Sequence, residues 1–327
     1  MSKPCFLFLL LFFSLSKIFA QCLAPMSPPA CNGTEPLLFD NETLNTGISK
    51  WYYGSSTTMN SLTLKGGTLV VCGDLTIDKF YMDSGTVFIR PGARFVISSG
   101  IGAGLILRGD SYIYNYGTCE VQRNLSLENG YATSATPNKV INATTSSVFK
   151  MSNQYFVINN AFSWFVNNGS AEFWGIITDP QSSPGSVCLG DGSSTRMAVL
   201  INKIEDTYRV PVGNACLNVY QFSQFANKLT NDPGLFACLG SGHTSTSGCG
   251  GCPANNWGAA QVFTSCSGCS ALTVLGTQFL SFTVAQADGV NKLAWQINPV
   301  ARNGFFKVDR SANGRSEEHT SELQSQN

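Results

Sequence analysis

The sequence has few charged residues for its length and only two histidines. Lysine and arginine number 20 and so do aspartate and glutamate; the four make up 12% of the 327 residues, and the formal net charge is zero. Without a basic excess the chain has little with which to neutralise phosphates, which argues against a nucleic-acid partner. Charges are also too few to line the outer faces of long helices, so an all-β protein is expected.

Residue patterns for catalysis are missing as well. No Gly-x-Ser-x-Gly segment occurs, and a Ser-His-Asp triad would have to use His243, because the other histidine, His319, lies in an atypical C-terminal tail. We expect His243 to be an exposed loop residue; ligation of a metal beside Cys238 is the lesser alternative. The acids and arginines between residues 61 and 178 are scattered singly, mostly at turns or on a solvated face. We therefore predict no catalytic residues and no cofactor.

Residues 1–20 read as a secretory signal peptide. Lys3 precedes an apolar run from Phe6 to Phe13, and the small residue Ala20 is suited to cleavage. A lipid anchor on Cys22 is disfavoured because Gln21, which is not a small residue, precedes it. No later segment is apolar enough for a membrane span, so we predict an extracellular or outer cell-surface location.

Short period-2 segments follow, after an N-terminal cap or linker at residues 21–60. Each has three to five residues with alternating apolar positions, which is typical of strands with one buried face. The pentads GTLVV at Gly67 and GTVFI at Gly85 lie 18 residues apart, and GTCEV follows at Gly117. This loose repeat predicts a right-handed parallel β-helix or related β-solenoid over residues 61–178, with a β-sandwich as the competing fold.

The next region, residues 179–270, is predicted to be a cysteine-rich β segment. Residues 209–217 are compatible with a strand. Residues 219–229 have the only helical spacing of the region, through Phe222, Phe225 and Leu229.

Three further strands are predicted in residues 271–314, around Phe282, Trp295 and Phe306. Three strands are too few for an immunoglobulin-like sandwich, so we expect a module interrupted in mid-domain. The passage FLSFTVAQADGVNKLAWQINPVARNGFFKVDRSANG resembles a fibronectin-type-III-like module near the carboxyl ends of exported Bacteroidota proteins. In that family the module precedes a sorting domain for type IX secretion, and the resemblance implies delivery to the cell surface.

The tail at residues 315–327 has a different character. Its segment RSEEHTSELQS, from Arg315 to Ser325, has no apolar periodicity and resembles the conceptual translation of a sequencing-library adapter over all eleven residues. We therefore expect the biological reading frame to be cut near Gly314.

Eleven cysteines remain once Cys5 of the signal peptide is set aside, and disulfides are their simplest use in an exported chain. A pair between Cys22 and Cys31 is the easiest guess, and the odd number leaves one thiol over. The disulfide candidates are Cys22, Cys31, Cys72, Cys119, Cys188, Cys216, Cys238, Cys249, Cys252, Cys266 and Cys269.

Two CxxC pairs, Cys249 with Cys252 and Cys266 with Cys269, have the spacing of a zinc site. Structural zinc on these four thiolates and a redox-active pair both stay open as alternatives to disulfides. Export favours the disulfides, because oxidation competes with metal loading outside the cytoplasm.

Tyr112, Tyr114 and Tyr116 alternate, so their rings share one side of a strand. Exposed tyrosines of this kind stack on sugar rings, whereas packing of the solenoid wall is the competing interpretation. The sequence thus predicts a secreted structural or adhesin-like protein without catalytic activity. The alternative is a secreted carbohydrate-binding or carbohydrate-active protein, a lyase or hydrolase, with a surface polysaccharide or another cell-envelope component as partner.

Overall fold

The computed structural model describes residues 25–98, 104–127, 132–133, 135–158, 162–178, 187–202, 208–211, 213–225, 234–247, 257–264, 279–287 and 290–297. The chain divides after Leu272 into two units, which are treated separately below. Within the described residues the first unit contains one sheet of parallel strands, and the second contains an antiparallel hairpin.

Twenty strands make up the sheet of the first unit. In chain order they are β1 (Glu42–Asn45), β2 (Ser49–Tyr52), β3 (Thr57–Val71), β4 (Asp74–Ile89), β5 (Arg94–Ile97), β6 (Leu105–Leu107), β7 (Ser111–Asn115), β8 (Thr118–Val121), β9 (Leu125–Leu127), β10 (Asn138–Asn142), β11 (Val148–Ile158), β12 (Ser163–Asn167), β13 (Ser170–Thr178), β14 (Val187–Leu189), β15 (Ser194–Asn202), β16 (Tyr208–Arg209), β17 (Ala215–Phe225), β18 (Leu235–Leu239), β19 (Thr244–Ser247) and β20 (Gln261–Phe263).

The register shows that these strands wind into a β-solenoid of about 8 turns. Each full turn passes through three walls. Wall 1 holds β5, β8, β18, β20 and the first halves of β11, β13, β15 and β17, whereas wall 2 holds β1, β6, β9, β19 and the second halves of those four strands. Wall 3 holds β2, β7, β10, β12, β14 and β16. The long strands β3 and β4 run through all three walls.

Alternation along each strand separates the core from the outer surface. In wall 1, Phe149 and Phe173 point inward and are fully or almost fully buried, as are Phe156 of wall 2 and Phe165 of wall 3. The centroids of these four rings lie 5.3–6.4 Å apart, in tilted, stacked and edge-to-face pairs. Burying one such side chain stabilises the fold by about 1.5–3 kcal/mol, so the stacked coils form one continuous apolar column.

The predicted β-solenoid is confirmed, and the competing β-sandwich is wrong for this unit. Thr68 of the first pentad lies opposite Thr86 of the second, and Val71 lies opposite Ile89. The glycine of the second pentad, Gly85, has a φ of 117°, and a Cβ there would lie 2.4 Å from the carbonyl oxygen of Gly67. The repeated glycines therefore let two coils approach closely. The third pentad differs, because Thr118 lies in wall 1 opposite Arg94.

The parallel sheet extends beyond the predicted interval of residues 61–178. It begins with β1 at Glu42 and continues through β20 to Phe263, inside the segments expected to be a cap and a separate cysteine-rich region. The helical reading of residues 219–229 is wrong for 219–225. These residues belong to β17, which pairs with β15 on one side and with β18 and β19 on the other. Backbone pairing to both neighbouring coils overrides the weak spacing of two phenylalanines.

Buried asparagines stack at the end of wall 3. The Nδ2 group of Asn115 donates to Oδ1 of Asn142, and Nδ2 of Asn142 donates to Oδ1 of Asn167, both over 2.8 Å. Asn167 in turn donates to the hydroxyl of Thr195 over 2.9 Å. All four side chains are fully buried, so the hydrogen bonds between them replace the hydrogen bonds to water that their polar atoms lose on burial. This asparagine ladder fixes the corner between walls 3 and 1 in successive coils.

The second unit contains β21 (Phe279–Ala287) and β22 (Val290–Ile297), which pair antiparallel with Phe282 opposite Trp295. Both strands were expected from their alternation. The third expected strand, around Phe306 and Val308, lies outside the described residues.

Candidate functional site

The segment from residue 25 to residue 36, here called the N-terminal strap, lies on the outer side of wall 3. A disulfide joins Cys31 to Cys72, with the two Cα atoms 6.2 Å apart. Arg90 donates from Nη1 to the carbonyl of Pro28 over 3.1 Å, and the Tyr116 hydroxyl donates to the carbonyl of Met26. These contacts tie the strap to several consecutive coils, because the residues they use lie one coil apart.

The three tyrosines considered for stacking on a sugar lie in one cluster, in which Tyr112 packs against the buried Tyr114 and Tyr116, and they do not form an open platform. Tyr114 is 5% exposed and Tyr116 is 8% exposed, so neither ring presents a face to solvent. Tyr112 is half-buried, its ring stacks with Tyr114 at 6.2 Å, and the Lys139 ammonium lies over it, 5.5 Å from the ring centroid. Burial is the main reason why the pKa of Tyr112 is raised to about 12. Packing of the wall thus takes the faces that a sugar would need.

The cysteines divide in a way that sequence spacing did not reveal. The pair guessed between Cys22 and Cys31 is wrong, since Cys31 is bonded to Cys72. Cys188, Cys216 and Cys238 are also disulfide-bonded. Cys22 lies outside the described residues.

Cys119 is a free thiol, which corrects its place among the disulfide candidates. In β8 the alternation turns Cys119 inward, where it lies opposite Phe95 on one side and Phe149 on the other. Neither register neighbour is a cysteine. Burial raises the pKa of this thiol well above its ordinary value, so it behaves as a small core residue.

The four cysteines considered for zinc, Cys249, Cys252, Cys266 and Cys269, lie outside the described residues. Among the residues that are described, no group of three or more metal-ligating side chains comes together. A site shared by His243 and Cys238 is wrong, because a disulfide occupies the Cys238 sulfur. His243 is half-buried rather than an open loop residue, and burial lowers its pKa.

Charged residues that are isolated in the sequence meet across coils. Arg94 pairs with Glu120 at 2.7 Å, and Arg196 pairs with Glu172 at 3.1 Å on the outer face of wall 1. Asp78 accepts a hydrogen bond of 2.7 Å from the hydroxyl of Ser98. Arg94 and Arg108 do lie on a solvated face, as expected, but each is paired with a carboxylate one coil away and about twenty or more residues distant in the chain.

One groove opens on the outer side of wall 2, and an irregularity in the coil produces it. In the second coil β4 runs without interruption through walls 1 and 2, whereas in the third coil β5 ends at Ile97 and β6 begins at Leu105. As a result β6 pairs with β4 only at Leu107 opposite Met82, although it pairs with β9 at three positions. The loosened contact between β4 and β6 leaves a cavity of about 190 Å³.

The wall-2 groove, as we call this cavity, is lined by one open aromatic ring and by charged groups. Tyr81 is 53% exposed, and Asp83 pairs with Arg108 at 2.9 Å at the rim. Arg123 enters from the next corner and is only 9% exposed. Its Nε donates to the carbonyl of Ser98 over 2.9 Å, and its Nη2 donates to the carbonyl of Asp78. The remaining lining residues are Phe80, Met82, Gly104, Leu105 and Ile106.

Burial lowers the pKa of the Arg123 guanidinium, and the nearby Tyr81 and Asp78 act in the opposite direction. The group nevertheless stays charged at neutral pH, as arginine does in proteins. A charge held mainly by neutral backbone carbonyls, beside an exposed ring, is suited to holding an anionic ring compound.

Sequence reasoning missed this groove. The signal that was present is the interruption between Ile97 and Leu105, where a continuous strand in one coil is replaced by two short strands in the next. An insertion at a corner of a solenoid is where binding residues accumulate.

Within the described part of the chain, the search for helices able to cross a membrane found none. Comparison of the chain with protein-family models, with curated proteins and with solved structures found no match.

Proposed function

We propose that this protein is a secreted, non-catalytic β-solenoid that serves at the cell exterior as a structural stem or adhesin. The observation that carries the proposal is the state of the carboxylates on walls 1 and 2. Glu120, Glu172 and Asp83 each pair with an arginine, rather than converging in pairs on one cleft. Hydrolysis of a glycosidic bond commonly uses two carboxyl groups that flank that bond, whereas cross-coil pairs of opposite charge hold neighbouring coils in register.

The disulfide-bonded cysteines support an extracellular location. The Cys31–Cys72 bridge fastens the N-terminal strap, and three further cysteines are disulfide-bonded. Disulfides persist where the environment is oxidising, in agreement with the signal peptide predicted at residues 1–20. The fibronectin-type-III-like module, the type IX route and the adapter origin of residues 315–327 belong to this proposal as predictions.

A carbohydrate-binding function is the second candidate, and the wall-2 groove is the observation that favours it. Exposed aromatic rings beside hydrogen-bonding side chains are the usual means of holding a sugar, and Tyr81 has that setting. Binding of this kind is compatible with the role of an adhesin, so the two candidates differ in whether a glycan is held and not in whether it is cleaved.

The test uses the mature chain and a panel of extracellular polysaccharides. Affinity electrophoresis measures retention of the protein, and a reducing-end assay measures cleavage. We expect retention by at least one polysaccharide and no release of reducing ends. Release that rises in proportion to the protein added would contradict a non-catalytic function. Retention by none of them would contradict the adhesin proposal for glycan surfaces.

A further inference from the structure

We propose that the wall-2 groove binds one sugar ring bearing a carboxylate, a uronic acid unit of an acidic polysaccharide. The inference deepens the proposed function, on which it rests, by naming the ligand class and the place where it is held. The side chains that favour this ligand are those of Tyr81, Arg108 and Arg123, and Asp83 limits the net positive charge.

The guanidinium group of Arg123 is the group that would bind the carboxylate of the ligand. Two of its nitrogens, Nε and Nη2, are taken up by the carbonyls of Ser98 and Asp78. Among the described residues its third nitrogen, Nη1, has no hydrogen-bond partner, although the side chain is only 9% exposed. Because Nη1 is not among the enclosed polar atoms, this edge of the guanidinium is accessible to a ligand, and a carboxylate is the acceptor that matches its geometry.

The charge of the lining residues favours an anionic ligand. The groove contains two guanidinium groups, those of Arg108 and Arg123, and one carboxylate, that of Asp83. Asp83 is paired with Arg108 at 2.9 Å, which leaves the described lining with an excess of one positive charge, that of Arg123; the Asp78 carboxylate, which also acts on Arg123, is not part of the lining. A ligand with a single carboxylate neutralises this excess, whereas a cation would be repelled.

Shape decides between a flat ring and a small inorganic anion. Tyr81 is the most exposed residue of the lining, and Ile106 of β6 is half-buried beside it. An aromatic ring next to an aliphatic side chain offers an apolar surface, which an inorganic anion cannot use but the C–H face of a sugar can. The volume of about 190 Å³ is below the roughly 300–1,000 Å³ of drug-sized ligands, so the groove accommodates one ring of a longer chain.

The experiment compares two matched ligands on the full mature chain by isothermal titration calorimetry. One is a short oligogalacturonate; the other is the same oligomer after its carboxylates have been reduced to hydroxymethyl groups. We expect the acidic oligomer to bind at least about tenfold more tightly, the equivalent of about 1.4 kcal/mol, and its affinity to fall with added salt. Equal affinities, or no saturable binding of either ligand, would overturn the proposal.

Variants locate the binding on the protein. Tyr81→Ala removes an exposed ring and is expected to weaken binding about tenfold, and Asp83→Asn is expected to strengthen it about threefold by removing the repelling carboxylate. Arg196→Gln is the matched control, because Arg196 is also in an exposed ion pair, on wall 1 and away from the groove. Its affinity is expected to equal that of the unchanged chain. An unaltered affinity in Tyr81→Ala would place the ligand elsewhere.

Three further outcomes test this proposal separately from the proposed function. Competition by inorganic sulfate with full displacement at equal concentration would show a simple anion site and overturn the assignment of a sugar. Retention on polysaccharides that is undiminished in Tyr81→Ala would overturn the groove while leaving the adhesin proposal intact. Cleavage of the oligomer would contradict the non-catalytic function but not the groove.

Discussion

Asn115 and Asn142 lie one coil apart, and the amide of the first donates to the amide oxygen of the second over 2.8 Å in a fully buried environment. Asn142 also donates to the carbonyl of Ser170 over 3.0 Å. One side chain therefore satisfies a neighbour on each side, and losing it leaves polar groups of both neighbouring coils without a partner.

From this arrangement we predict that Asn142→Ala lowers the free energy of unfolding by about 2–3 kcal/mol, because buried donors and acceptors are left unsatisfied. Urea unfolding of the mature chain measures the change. The exposed Asn60 supplies the control, and Asn60→Ala is expected to alter stability by less than about 0.5 kcal/mol. An unchanged midpoint in the Asn142 variant would show that the asparagine ladder does not stabilise the solenoid.

The Cys31–Cys72 bridge closes a sequence separation of 41 residues. Replacing both cysteines by serine is expected to lower stability by about 3 kcal/mol and to shift the fluorescence of Trp51 to longer wavelength. The shift follows because the Trp51 indole donates to the carbonyl of Ala30 in the strap over 3.0 Å, and this contact is released.

The control for the bridge is Arg90→Met, which removes a hydrogen bond to the strap but keeps the disulfide. Its loss of stability is expected to be about 1 kcal/mol, which is smaller than that of the double serine variant. Identical unfolding midpoints and Trp51 emission in all three proteins would contradict an anchoring role for the bridge.

Glu35 of the strap is expected to titrate at unusually low pH. The hydrogen bond from the Tyr53 hydroxyl, together with those from the backbone of Asn32 and Thr34, lowers its pKa from 4.5 to about 2. Since the folded pKa is the lower one, the charged form favours the docked strap above pH 4.5, and this contribution is lost as the pH falls towards 2. NMR titration of the side-chain carboxyl measures it. Tyr53→Phe should move the midpoint back towards 4.5; a midpoint already near 4.5 in the unchanged chain argues against the contact.

Tyr208 is a fully buried residue whose hydroxyl has no hydrogen-bond partner among the described residues. Burial raises its pKa, so the phenol stays neutral. We predict that Tyr208→Phe stabilises the chain by about 1 kcal/mol, because it removes an unsatisfied polar group and keeps the ring. Tyr53→Phe, which loses a hydrogen bond, should change stability in the opposite direction. A destabilised Tyr208→Phe variant would reveal a partner for the hydroxyl.

The alternating segments were enough to predict the type of fold. Leu62 and Leu64 of β3 were expected to point inward, and both are fully buried. The pentads at Gly67 and Gly85 also revealed the spacing of two neighbouring coils, because the second coil carries no insertion. Side-chain period and coil repeat are both local properties of the chain, which is why they can be read from residues alone.

The contacts between neighbouring coils could not be predicted from the sequence, for a physical reason. Val71 lies opposite a residue 18 positions further on, Ile89, whereas Cys119 lies opposite a residue 30 positions further on, Phe149. Because corners absorb insertions of differing length, the sequence distance between spatial neighbours changes from coil to coil. The pairing of Arg108 with Asp83 and the approach of Arg123 to the groove therefore could not be foreseen, and the same uncertainty led to the wrong guess for the partner of Cys31.

The number of turns determines the length of the first unit along the solenoid axis. Neighbouring strands in a sheet are about 4.8 Å apart, so the first unit, with about 8 turns, extends about 40 Å along its axis. Residues inserted at a corner widen a turn without adding to this distance, whereas a complete additional turn moves everything beyond it outward by the same fixed step. The length of the solenoid therefore changes only in steps of one whole turn, and the wall-2 groove lies near one end of it, at the second and third coils.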